Sequence, residues 1–162
     1  MDAGVIMIVA VIGIACIVTA VVLLIRGPVT LPVEAKPFLT NHEKAFCAKL
    51  SRAVEGMGQY RVHAQVAMGA IMRTKSGLDQ STARGVRNRF DRKIVDFVIV
   101  DMNMDVVALV ELDDRTHSSE RDAARDAMTA AAGYVTVRMR NGYRTPVDQI
   151  ATTLRPVLTA AR

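Results

Sequence analysis

Residues 94–113 read IVDFVIVDMNMDVVALVELD, and the way this stretch folds decides the rest. Its two halves, Ile94 to Asp101 and Val106 to Leu112, are short, β-branched and almost continuously apolar, the pattern of central strands covered on both faces. The four residues from Met102 to Asp105 suffice only for a hairpin turn. With that turn Asp101 pairs with Val106 and, further along the same register, Asp96 stands opposite Glu111. Direct cross-strand partners point to one face, with β-carbons about 4.5–5.5 Å apart. Asp113, two residues beyond Glu111, points the same way. Three carboxylates then converge. A slip of one residue would send Asp96 and Glu111 to opposite faces, so the chemistry depends on the register.

Like charges this close in an apolar sheet repel and raise each other's pKa. A hard divalent ion removes the conflict, because Mg²⁺ or Mn²⁺ prefers oxygen ligands, keeps several waters and can bridge to a substrate phosphate. The reaction such a site suits is activation of a bound water against a phosphodiester. His117, four residues beyond Asp113, is a candidate general base or further ligand, since histidine titrates near neutrality.

Other elements extend outward from this hairpin. Thr40-Asn41-His42-Glu43 has the form of a capping box, and the apolar spacing that follows predicts a helix over Asn41 to Glu55, ended by Gly56 and Gly58. Tyr60 to Val66 alternates in the manner of a half-buried strand, which leaves Gln65 within reach of the acids. Arg73 to Lys93 is polar and basic and reads as a loop or short helix. Within it Arg87, Arg89, Arg92 and Lys93 form a candidate phosphate clamp beside the acidic hairpin. Ser118 or Ser119 caps a helix to about Ala132 with Gly133 after it, and Tyr134 to Met139 is a further strand. Thr145-Pro146 opens a last helix, bent at Pro156. The order is αβββαβα.

Several polar residues have ordinary explanations. Glu43 is accounted for by capping. Asp122 and Asp126, with Arg121 and Arg125, read as a solvated helix face. His42 and His63 have no partner visible in the sequence. Aromatic residues make up 4% with no tryptophan, which argues against base stacking on single strands.

The chain has 162 residues and 51% apolar content, inflated by one block: 20 of the 23 residues from Ala3 to Ile25 are apolar and none is charged. A helix of that length reaches about 34 Å, slightly more than a hydrocarbon core of roughly 30 Å. No basic n-region precedes it and no small-residue exit site ends it, so it reads as an uncleaved anchor. Arg26 and Lys36 follow it, against Asp2 and the α-amino group before it. This asymmetry predicts a single-pass protein with its N-terminus outside and its C-terminal domain cytoplasmic. Three prolines in residues 27–37 mark an extended linker, so the organisation is an anchor over 1–26, a linker over 27–37 and one domain over 38–162. The formal net charge of +5 suits a phosphate polymer or an anionic membrane face. Two cysteines, Cys16 and Cys47, offer neither a disulfide framework nor a zinc pattern.

Asp96 in VDFVIVD, the run VELDDRTH over residues 110–117, and Arg121-Asp122 with Gly133 ahead of a strand together resemble the bacterial family called domain of unknown function 2726. That family is similar to the PD-(D/E)XK nucleases, near the very-short-patch-repair endonucleases. The resemblance covers about Phe38 to Arg140. It implies a restriction-endonuclease-like αβββαβ core with a mixed central sheet flanked by helices. It also implies Asp96 as the motif aspartate, Glu111 as the second acid and Glu43 as a first-helix acid added to the metal site. The superfamily's lysine, two after the glutamate, is Asp113 here. Lysine there would stabilise developing negative charge. A substitute is sought in Lys93 or Arg92, or in His117 acting as base.

The expectation is therefore a membrane-anchored, Mg²⁺- or Mn²⁺-dependent nuclease-like domain. Its partners are nucleic acid, with DNA the expected substrate, and the lipid bilayer. Asp96, Glu111 and Asp113, with Glu43, would hold the metal. The alternative is a catalytically inactive module of the same fold that binds nucleic acid or a protein partner at the membrane.

Overall fold

A computed structural model describes residues 2–25, 31–113 and 119–160 of the protein. The chain divides into two compact units, Met1–Pro37 and Phe38–Arg162. In the first, helix α1 spans Ala3–Ile25. Its stretch Ala3–Val22 has a mean hydropathy of 3.1, long and apolar enough to cross a membrane. The hydroxyl of Thr19 donates to the carbonyl of Ala15 at 2.8 Å, so that polar group is satisfied inside the helix, as a hydrocarbon environment requires.

The second unit is a mixed α/β domain. Helix α2 (Asn41–Glu55) starts with the capping box that the sequence predicts: Thr40 accepts from the Glu43 N–H, and Glu43 returns the bond to the Thr40 N–H at 2.6 Å. Strand β1 (Arg61–Ala67) follows, then the short helices α3 (Met68–Ile71) and α4 (Gln80–Arg87), the latter capped by Asp79. Strands β2 (Ile94–Val100) and β3 (Val106–Asp113) come next. Helix α5 (Ser119–Ala131) leads to strand β4 (Thr136–Arg140), and a 3-10 turn (Gly142–Arg144) precedes helix α6 (Val147–Ala160). Gly133 adopts φ +89°, the left-handed conformation that ends α5 without a side-chain penalty.

The four strands form one sheet in the order β1-β2-β3-β4. The first three run antiparallel, and α5 is the crossover that sets β4 parallel to β3. Both faces are covered, which explains the unbroken apolar runs of β2 and β3. On one face Phe97, Ile99, Ala108 and Val110 pack against Phe46 and Leu50 of α2 and Ile150 and Leu154 of α6. Each such large apolar side chain contributes roughly 1.5–3 kcal/mol on burial. On the other, Val95, Val98 and Leu109 meet Met68, Phe90, and Met128 of α5. Gly142 lets the 3-10 turn close on the first face, since a β-carbon there would lie 2.6 Å from Leu112 and 2.8 Å from Phe46.

The hairpin register is as expected where it matters and shifted where it does not. Phe97 pairs with Val110, Val98 with Leu109 and Ile99 with Ala108, the alignment that sets Asp96 toward Glu111. The expected pairing of Asp101 with Val106 does not form. Val106 instead pairs with Val100, and Val107 is left over in a bulge. The cause is Asp101 itself, which closes the turn: its Oδ1 accepts from the N–H groups of Asn103 and Asp105, both at 2.9 Å.

Candidate metal centre

The site begins with two acids that the sheet cannot place apart. Asp96 follows Val95 on β2, and its alternation partner Val98 faces α5; Glu111 lies two beyond Leu109 on β3, on that same side. Glu111 is buried at 4% exposure and Asp96 is half-buried. Asp96 Oδ2 accepts from the Leu112 N–H at 2.8 Å, carrying the cross-strand alignment past Phe97 and Val110 through a side chain. The two carboxyl groups are close enough to act on each other's titration.

Their electrostatics follow from burial. Loss of water pushes the Asp96 carboxyl above its usual range, and the nearby charge of Glu43 adds to this. The Leu112 N–H and Arg125 work against the rise. Burial also raises Glu111, with the charge of Asp96 second, up to about 7, against the opposing pull of Arg125 and Arg138. Near neutral pH Glu111 is therefore partly protonated, where an isolated carboxyl would have lost its proton.

Helix α2 brings a third acid to the rim. Glu43 Oε1 accepts from Gln65 Nε2 at 2.9 Å while Oε2 serves the cap. Gln65 has φ +54°, and it lies between the rungs Ala64–Phe97 and Val66–Val95, where regular pairing would set it opposite Asp96. A non-glycine residue in the left-handed region within a strand is strained, a feature that concentrates at functional sites. The sequence places Gln65 near the acids but gives no sign of this conformation.

Asp113 turns to the neighbouring strand. Parallel pairing sets it beside Arg140, whose Nε lies 3.3 Å from its Oδ2. It borders a cleft of about 360 Å³ lined also by Arg138, Arg140, Thr145 and Gln149. Among the described residues no group of three or more His, Cys, Asp or Glu side chains stands at metal-ligand spacing. The converging acids are thus a pair, Asp96 and Glu111, with Glu43 and Asp113 each holding another partner. His117 lies outside the described residues.

The cation at the pair is Arg125, which the sequence reading assigns to a solvated face. It donates from Nη1 to Glu111 Oε2 at 3.0 Å, and its own side chain is 28% exposed. Asp126 is likewise engaged, holding Arg138 through two bonds at 3.0 and 2.8 Å. A signal existed in the sequence: Arg125 lies three and four residues ahead of Met128 and Thr129, the inward stripe of α5. The expected phosphate clamp is partly occupied, since Arg87 pairs with Asp91 at 3.1 Å, while Arg89 and Arg92 are exposed and Lys93 is half-buried. His42, without a partner in the sequence, stacks on Tyr143 with ring centroids 4.0 Å apart. His63 has a buried Nε2 with no hydrogen-bond partner among the described residues.

No curated protein and no solved structure is significantly similar to the chain. One family model does match, that described as Protein of unknown function (DUF2726), over residues 35–156. The match runs beyond Arg140 and takes in most of α6, whose apolar face completes the core beneath the sheet. With most of its 162 residues inside that match, the chain belongs to the DUF2726 family.

Proposed function

We propose that residues 38–162 form a divalent-metal-dependent nuclease-like domain that hydrolyses phosphodiester bonds, with DNA the expected substrate. The observation that carries this reading is the Asp96–Glu111 pair: two adjacent carboxyls on neighbouring central strands, one of them buried and raised to about 7 by loss of water and by the charge of the other, even with Arg125 in contact. No fold requirement calls for that arrangement. The restriction-endonuclease-like core remains part of the proposal, supported by the mixed sheet and its flanking helices.

The donor set fits Mg²⁺ or Mn²⁺ in kind and in number. Such ions take one or two protein carboxylates and fill the remaining positions with water and substrate phosphate oxygens. Asp96 and Glu111 would hold the ion. Asp113 would join by releasing Arg140, and Glu43 by giving up Gln65 or the α2 cap. When bound, the ion activates water and neutralises charge on the phosphate. The chain's own contributions are the fixed orientation of Asp96 by the Leu112 N–H, a proton acceptor for which His117 is the candidate, and basic side chains for the backbone. Arg89 and Arg92 are exposed for that last task, and the cleft holding Arg140 offers a second basic surface beside Asp113. Helix α1 would anchor the domain in a bilayer, with the N-terminus outside and the domain cytoplasmic.

A second reading has its own support. Asp113 stands where a nuclease of this type carries lysine, and Glu111 already holds an arginine, as it would in an inactive module that binds nucleic acid or a protein partner at the membrane. Incubation of the full chain in detergent micelles with supercoiled plasmid and Mg²⁺ or Mn²⁺ separates the two. Cleavage that disappears in Asp96→Asn and Glu111→Gln supports the nuclease. Metal-independent retardation of DNA without cleavage supports the module.

A further inference from the structure

Two arginines face the same side of the sheet and are held in different ways. Arg138 grips Asp126 with two parallel bonds, the geometry that uses the planar guanidinium fully. Arg125 makes one bond, from Nη1 to Glu111, and its Nε is buried with no hydrogen-bond partner among the described residues. An orphaned donor of this kind is a cost that a purely structural contact would avoid. The side chain is also 28% exposed, so a path to solvent is open. What holds it in place is charge: Glu111 is buried beside a second acid, and Arg125 forms an ion pair with it at 3.0 Å. Any other cation that reached Glu111 would remove the reason for Arg125 to stay.

We propose that Arg125 and a divalent cation are alternative counter-ions of the Glu111 carboxylate. The guanidinium holds the acid pair while no ion is bound and leaves it when one arrives. This inference rests on the metal-dependent reading above. It makes ion binding an exchange rather than a simple addition. The ion's apparent affinity is reduced by the strength of the contact it displaces.

Calorimetric titration of the full chain in detergent micelles with MnCl₂ alone tests this. Removing the competitor in Arg125→Gln is expected to tighten Mn²⁺ binding at least about tenfold. The same variant should melt lower than wild type without metal and gain more from added Mn²⁺, because a tighter ligand shifts the unfolding equilibrium further. Arg125→Lys keeps a charge but loses the rigid fork, and its affinity should fall between the two. This second variant carries the test if Arg125→Gln fails to fold. Mn²⁺ affinity in a folded Gln or Lys variant equal to or weaker than wild type overturns the exchange while leaving the metal site intact. Absence of Mn²⁺ uptake by wild type and both variants overturns the metal-dependent reading and the exchange together.

Discussion

The hairpin of β2 and β3 carries aspartates at both ends, and the protein treats them in opposite ways. At the turn, Asp101 is surrounded by donors: the N–H groups of Asn103 and Asp105 both reach one of its oxygens, and the residue across from it, Asp105, is exposed to water. At the far end, Asp96 receives one N–H and faces Glu111, while Glu43 adds negative charge from the rim. The register reflects the same division. It slips by one residue beside the turn and holds toward the acids. An acid whose oxygens are met by backbone donors is part of the architecture. An acid buried beside another acid carries a desolvation and repulsion cost that the Arg125 contact offsets only in part.

The largest effect that would break this contrast is on cleavage. Under the nuclease reading, Asp96→Asn or Glu111→Gln removes a ligand charge while keeping shape, and each should lower the rate of metal-dependent plasmid cleavage by about 10²–10³-fold or more. Asp101→Asn should leave the rate within about twofold, because its oxygen can still accept both turn bonds. Equal losses at positions 96 and 101 would show that the two ends are not distinct.

A smaller effect lies in stability against pH. Glu111 titrates near 4.5 when unfolded and at about 7 when folded. Between those values the folded protein holds a proton that the unfolded chain has released, so stability is highest on the acid side and falls as pH rises through the window, levelling above 7. Asp96, also raised, contributes with the same sign. The total drop should be on the order of 3 kcal/mol, and Glu111→Gln should remove most of it. Melting of the metal-free chain from pH 5 to 8 measures this. A wild-type curve that rises over that range would mean the pair is already balanced by Arg125 and Arg138, and the contrast between the hairpin ends would narrow.

Much of this was legible in residues 94–113 alone. The alternation of faces, the turn length and the unbroken apolar runs were enough to bring Asp96 to Glu111. The bulge at Val107 was not, because Val-Val-Ala carries no local mark of an extra residue; it follows from Asp101 closing the turn. The place of Arg125 was hidden for a different reason. Spaced four apart from Arg121 and next to Asp126, it has the pattern of a solvated ion-pair face. Only the parallel crossover, which lays α5 over the end of β3, turns it onto Glu111. Asp113 was misleading in the opposite sense: alternation points it to the site face, while parallel pairing gives it Arg140 as a partner. Local pattern reports which face a side chain takes, and tertiary pairing decides what it finds there.

The smallest expected effect tests the quiet end of the hairpin. Asp101→Ala deletes the acceptor of two turn bonds and leaves the N–H groups of Asn103 and Asp105 to water, since Asn103 and Asp105 are exposed. Exposed donors recover most of what they lose, so the cost should be about 1 kcal/mol. Mn²⁺ affinity should be unchanged, because the residues from Phe97 to Val100 separate the turn from Asp96. Met104, at φ +68°, depends on the same turn, and Met104→Gly should recover part of the lost stability by easing that conformation. A thermal melt of the single and double variants reads both steps. If Asp101→Ala instead weakened Mn²⁺ binding, the bulge would be transmitting register to the acid end, and the two ends of the hairpin would be one mechanical unit.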